Sequence, residues 1–143
     1  MKAQVIYATM TGHSKKIAQE IADKTGIPIS NIKNNPQISS CDLLFIISGI
    51  YGGENKPELL TFAKNLSPQS IKRVVLMTSS TRNTPQGSLR RVLTEAGHTV
   101  EAEEFVCEGS FLLKSFRHPN RDEIASAVKF VETKMNKVSK QDE

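Results

Sequence analysis

The chain has 143 residues, 38% of them hydrophobic and 24% charged, which suits one domain with a buried core and argues against a disordered chain. Its net charge of +4 is compatible with an anionic partner but far from the basic density of a nucleic-acid-binding arm. The longest apolar run, Leu43–Ile47, is much too short to span a bilayer, and Met1-Lys2 leads into a strand without the apolar stretch of a signal peptide. A cytoplasmic protein is expected. Its two cysteines, Cys41 and Cys107, lack metal-ligand spacing and read as free thiols.

Apolar runs alternate with amphipathic stretches along the whole chain, so residues 1–143 are expected to form one α/β domain with a parallel sheet. The first strand is Ala3–Ala8. A helix follows from about Ser14 to Thr25, with Ile17, Ala18, Ile21 and Ala22 as its buried stripe and Gly26 and Pro28 as its stop. A short strand lies near Ile29–Lys33, and Asn34-Asn-Pro36 with Ser39-Ser40 makes a loop where a full helix is expected. The third strand, Asp42–Ser48, is apolar on nearly every residue and reads as central and buried on both faces.

The next helix begins at Pro57, with Leu59, Phe62, Ala63 and Leu66 as its stripe. A fourth strand covers Arg73–Thr78, and a helix over about Pro85–Ala96 buries Leu89, Val92, Leu93 and Ala96. His98, after the Gly97 stop, reads as a turn residue. The fifth strand is expected over about Thr99–Val106. The last helix starts after Asn120, which has capping-box spacing to Glu123, and turns Ile124, Ala127, Val128, Val131 and Met135 inward. Residues 139–143 read as a frayed tail.

Right-handed crossovers restrict the topology of five such strands. The doubly wound order 2-1-3-4-5 reverses direction between strands one and three, and ligands bind at that switch point beyond the carboxyl ends of the strands. Three loops meet there, and they are the most chemically unusual in the chain. Thr9-Met10-Thr11-Gly12-His13-Ser14 joins a strand to a helix start, where unpaired N–H groups and several hydroxyls can cradle an anion. It lacks both the Gly-x4-Gly-Lys-Ser/Thr spacing and the three-glycine dinucleotide fingerprint, so a single phosphate monoester fits best. The plainer reading is a strand–helix turn with Ser14 as N-cap.

The second loop, Gly49-Ile50-Tyr51-Gly52-Gly53-Glu54-Asn-Lys56, sets an aromatic among glycines that let the backbone approach a flat ligand. The third, Ser79-Ser80-Thr81-Arg82-Asn-Thr-Pro-Gln86, offers hydroxyl and amide donors for the polar edge of a ring. Neither a catalytic residue nor a metal site is legible.

Thr9-x-Thr11-Gly12-x-Ser14 resembles the phosphate loop of flavodoxins, and Gly49-x-Tyr51-Gly52-Gly53-Glu54 resembles the loop beside their flavin ring. Cys107-x-Gly109-Ser-Phe…Pro119-Asn120…Ala125 resembles a stretch of small bacterial flavodoxin-domain proteins, so the resemblance covers nearly the whole chain. It implies a flavodoxin-like sheet with helices on both faces and FMN held noncovalently. Thr9, Thr11, Gly12, His13 and Ser14 would hold the phosphate, Tyr51 would stack on the ring, and Gly52 would offer a carbonyl toward N5. The chain departs from many flavodoxins in being basic and in lacking a clear second aromatic after strand four.

The function expected is low-potential electron transfer by a monomer or weak dimer between redox partner proteins that present an acidic docking surface, with no nucleic acid and no membrane span involved. Two alternatives stand beside it: a small FMN-dependent reductase or oxidase acting on a quinone-like or tetrapyrrole substrate, and a flavin-free interaction domain.

Overall fold

The computed structural model describes residues 2–8, 13–49, 57–80, 87–108 and 121–141. Its five strands are β1 (Ala3–Ala8), β2 (Ile29–Asn31), β3 (Cys41–Gly49), β4 (Ile71–Ser80) and β5 (Phe105–Glu108). They form one parallel sheet in the order β2-β1-β3-β4-β5. Four helices connect or follow them: α1 (His13–Thr25), α2 (Pro57–Asn65), α3 (Gly87–Glu95) and α4 (Arg121–Gln141). The expected doubly wound topology is therefore observed.

The sheet is buried on both faces because period-two alternation sends neighbouring side chains to opposite sides. Val5, Tyr7, Phe45, Ile47, Val75 and Met77 pack under α1 and α4, against Ile17, Ile21, Ala127 and Val131. Ile6, Ala8, Leu44, Ile46, Val74 and Leu76 pack under α2 and α3, against Leu59, Ala63, Leu89 and Leu93. Each fully buried aliphatic or aromatic side chain in these layers contributes about 1.5–3 kcal/mol. Cys41 lies in the second layer, and burial followed by the Asp42 charge pushes its thiol up to about 11, which makes it inert at neutral pH.

Two strands differ from the sequence expectation. β2 ends at Asn31 rather than near Lys33, because the Asn31 side chain accepts from the Lys33 N–H at 2.9 Å and caps a 3-10 turn over Ile32–Asn34. Asn35 closes that turn in the left-handed region, at φ 46°. With no long helix between β2 and β3, a cleft of about 580 Å³ runs along α2, lined in part by Ile32, Ile38, Phe62 and Leu66.

The fifth strand starts later than expected. Val100 bridges Val74, and regular pairing resumes only at Phe105 opposite Met77. β4 advances three residues between those points (74 to 77) while the edge chain advances five (100 to 105), so two extra residues bulge outward. The bulge carries Glu101, Glu103 and Glu104, and each meets a cation on a different element. Arg73 of β4 holds Glu101 at 3.2 Å, Arg90 of α3 holds Glu104 at 3.3 Å, and Lys134 of α4 holds Glu103 at 2.9 Å. Arg90 also donates to the Glu101 carbonyl at 2.8 Å. The bulged residues thus exchange ladder pairing for side-chain contacts to three neighbouring elements.

His98 is buried rather than a surface turn residue. Its Nε2–H donates to the Leu66 carbonyl at 3.0 Å, tying the end of α2 to the chain after α3.

The Lys134–Glu103 pair is asymmetric: the lysine side chain is 7% exposed and the glutamate 62%. The ammonium also sits 5.5 Å from the Phe130 ring centroid, whose ring packs on Phe105. Removing the glutamate strands a buried charge, whereas removing the lysine frees an exposed one. Glu103→Ala is expected to cost about 1 kcal/mol after solvent screening, and Lys134→Met close to nothing, by urea denaturation. Hydrogen bonding to Lys134 lowers the Glu103 pKa, and hydrogen bonding to the Lys2 N–H, with help from Lys72, lowers that of Asp42. Depressed carboxyl values mean stability that is complete above the unfolded-state values, about 3.9 for Asp and 4.3 for Glu, and is lost as pH falls through the lower folded-state values. Removing Glu103 is expected to lower the neutral-pH plateau and to flatten the acid limb of the stability profile, with variant and wild type converging at low pH.

Candidate functional site

The parallel arrangement places the carboxyl ends of β1, β3, β4 and β5 on one edge of the sheet. Ala8 stands opposite Ser48, Gly49 opposite Ser79, and Ser80 opposite Glu108. β1 lies between β2 and β3, so the chain leaves β1 in one direction and β3 in the other. This is the switch point at which α/β sheets bind ligands.

Of the expected site residues, the structure brings Ser14, Gly49 and the backbones of His13, Ser79 and Ser80 to this edge. Thr9, Met10, Thr11, Gly12, Ile50, Tyr51, Gly52, Gly53, Thr81 and Arg82 lie outside the described residues. The helix starts one residue earlier than expected, at His13, so Ser14 belongs to its first turn, where it is 1% exposed. Gly49 is the last residue of β3.

The first turn of α1 carries two exposed lysines and no acid. A helix N-terminus carries partial positive charge and is normally complemented by acidic residues. α2 has Glu58 in its first turn and α4 has Asp122 and Glu123, whereas α3, like α1, has none. In α1 that turn instead carries the exposed Lys15 and Lys16. Cations at this end disfavour the isolated helix and favour an anion bound at it.

The composition of the chain predicts that β4 ends at Thr78, with the following hydroxyls in a loop. The strand continues to Ser80 because β5 pairs with it from Met77 to Ser80. Thr78 is 1% exposed, and its Oγ1 has no hydrogen-bond partner among the described residues. Ser48, beside it in register, is equally buried. Among the described residues, no three His, Cys, Asp or Glu side chains gather to hold a metal ion, and no helix is long and apolar enough to cross a membrane.

A doubly wound sheet of order 2-1-3-4-5 with an anion-ready helix start at its switch point defines the flavodoxin-like class of α/β domain. The family model of the flavodoxin domain matches residues 4–138, and the chain belongs to that family. Similar solved structures include a flavodoxin from the domain Archaea, with a TM-score of 0.72 at 13% identity, covering 97% of this chain and 99% of that one. A short-chain flavodoxin associated with a non-canonical PDU bacterial microcompartment has a TM-score of 0.64 at 20% identity, covering 96% and 99%. Oxidised Flavodoxin 2 from Bacillus cereus has a TM-score of 0.66 at 17% identity, also covering 96% and 99%. At these identities the likeness establishes the fold. No curated protein matches the chain in sequence.

The first turn of α1 yields a prediction whose two parts have opposite signs. Lys15→Glu is expected to stabilise the protein by about 0.3–1 kcal/mol in the absence of ligand, through the helix dipole. The same change is expected to weaken binding of a phosphate-bearing ligand, with the loss shrinking as salt rises. Thermal melts and titrations at two ionic strengths measure both.

Proposed function

We propose that the chain is an FMN-binding redox protein that passes electrons between partner proteins. The observation that carries this reading is the start of α1: an acid-free first turn with two lysines and a buried Ser14, at the switch point of a flavodoxin-family sheet. These residues fit a phosphate dianion, and in this reading the residues at the carboxyl ends of β3 and β4 would take the flavin ring. When bound, FMN supplies one- and two-electron chemistry, while the protein orients it and sets the surrounding electrostatics.

In this reading Thr9, Met10, Thr11, Gly12, His13 and Ser14 bind the phosphate by hydroxyl and backbone N–H donors. Gly49, Ile50, Tyr51, Gly52 and Gly53 flank the ring, with Tyr51 stacking on it. Ser79, Ser80, Thr81 and Arg82 meet its polar edge. The partners are redox proteins with acidic docking surfaces, because the second and third loops carry Lys56 and Arg82 against Glu54, and the segment from the end of β5 to α4 is taken to complete the rim with Arg117 against Glu108.

Calorimetry with FMN and riboflavin tests the phosphate assignment. Hydrogen bonds to a charged group contribute about 1.5–3 kcal/mol each, so loss of the phosphate is expected to weaken binding by several orders of magnitude. Equal affinities would refute the assignment.

The rim charge has a second consequence. Reduction adds negative charge, which nearby cations favour. Arg82→Glu is expected to make the potential for the second electron more negative, by spectroelectrochemical titration. A potential that stays put or rises would show that Arg82 does not face the ring.

A further inference from the structure

Resting on the FMN reading above, we infer that Thr78 is a positioning residue for the flavin, its buried hydroxyl finding its hydrogen-bond partner in the cofactor-loaded protein. The inference starts from the pattern of the two central strands. On the face under α2 and α3, β3 runs Leu44, Ile46, Ser48 and β4 runs Val74, Leu76, Thr78. Both strands therefore switch from aliphatic to hydroxyl side chains at the same level, in register, at the carboxyl edge. Ala8 of β1 completes the row opposite Ser48. The last layer of this face is thus small and polar where the layers beneath it are fully apolar.

Packing alone does not account for a threonine there. A valine has nearly the same shape and would continue the aliphatic layer. A buried hydroxyl without a partner costs about 1–3 kcal/mol, and most buried polar groups avoid that cost. Thr78 Oγ1 is such a group among the described residues, at 1% exposure. It stands one residue before Ser79, which is paired with Gly49 at the switch-point edge. Unsatisfied buried groups that persist in a native fold call for a functional explanation, and the adjoining site supplies one. His98 Nδ1 is also buried without a partner among the described residues, but that ring is already anchored to Leu66 through its other nitrogen.

The test compares Thr78→Val and Thr78→Ser in the full-length protein, with and without FMN. If the hydroxyl is unpaired without the cofactor, Thr78→Val raises the melting temperature of the apoprotein by a few degrees. The same variant binds FMN about three- to tenfold more weakly, the range for one lost hydrogen bond. The visible circular dichroism of its bound flavin also changes. Thr78→Ser keeps the hydroxyl and restores both affinity and spectrum. Unchanged affinity in Thr78→Val would overturn the inference while leaving FMN binding intact. A fall in apoprotein stability would also overturn it, by showing that the hydroxyl is already paired. Failure of serine to rescue would overturn it as well. Failure of the wild-type protein to bind FMN at all would instead refute the function on which the inference rests.

Discussion

The structure depends on the burial of β3 on both faces between β1 and β4. Ala3 through Ala8 pair with Leu43 through Ser48 on one side, and Leu43 through Gly49 pair with Arg73 through Ser79 on the other. A one-residue slip on either side would exchange the side chains of the two cores, sending those under α1 and α4 to the face under α2 and α3. Because each face has its own helices and its own apolar set, that exchange is strongly disfavoured, and the register is fixed. Fixed register brings Ala8, Gly49 and Ser79 to one edge. The alignment of these strand ends at the candidate site is therefore a consequence of core packing.

Much of this was legible in the sequence because the relevant signals are local. The unbroken apolar run of β3 marks a central strand, and the spacing of Ile17, Ala18 and Ile21 or of Leu59 and Ala63 marks helices over a sheet. The missing helix after β2 was visible in Asn34, Asn35 and Pro36. The misread features depend on residues distant in sequence. Thr99–Val106 has good strand composition, but Glu101, Glu103 and Glu104 answer to Arg73, Arg90 and Lys134, whose proximity only the fold creates. His98 follows a glycine and looks like a turn, yet Leu66 lies beside it in space. β4 outruns its apolar stretch because β5 supplies ladder partners for Ser79 and Ser80. At the candidate site, the strand ends and the helix start could be read directly, whereas the burial of Ser14 and the lack of a partner for the Thr78 hydroxyl among the described residues could not.

The distribution of charge separates the bulged edge from the helix start. Along the bulge, acids are drawn into pairs with cations from three elements, and at the beginning of β3 Asp42 is held by Lys72 and the Lys2 N–H. These contacts tie the ends of elements together and are partly screened by solvent. The start of α1 has the opposite composition, with lysines at a helix end that favours anions. A net charge of +4 therefore has a local meaning that the total does not convey.

Such a helix start is a small source of instability until an anion occupies it. A ligand that binds only the folded chain stabilises it in proportion to the logarithm of its concentration over its dissociation constant. Lys15 and Lys16 at α1, and a Thr78 hydroxyl without a partner among the described residues, are each locally unfavourable arrangements, and both lie at the same edge of the sheet. The rest of the fold tolerates them because its two aliphatic layers extend unbroken beneath that edge. Local stability given up beside a deeply packed core is what a preorganised binding edge requires, since groups already fixed in place need no further ordering when the ligand arrives.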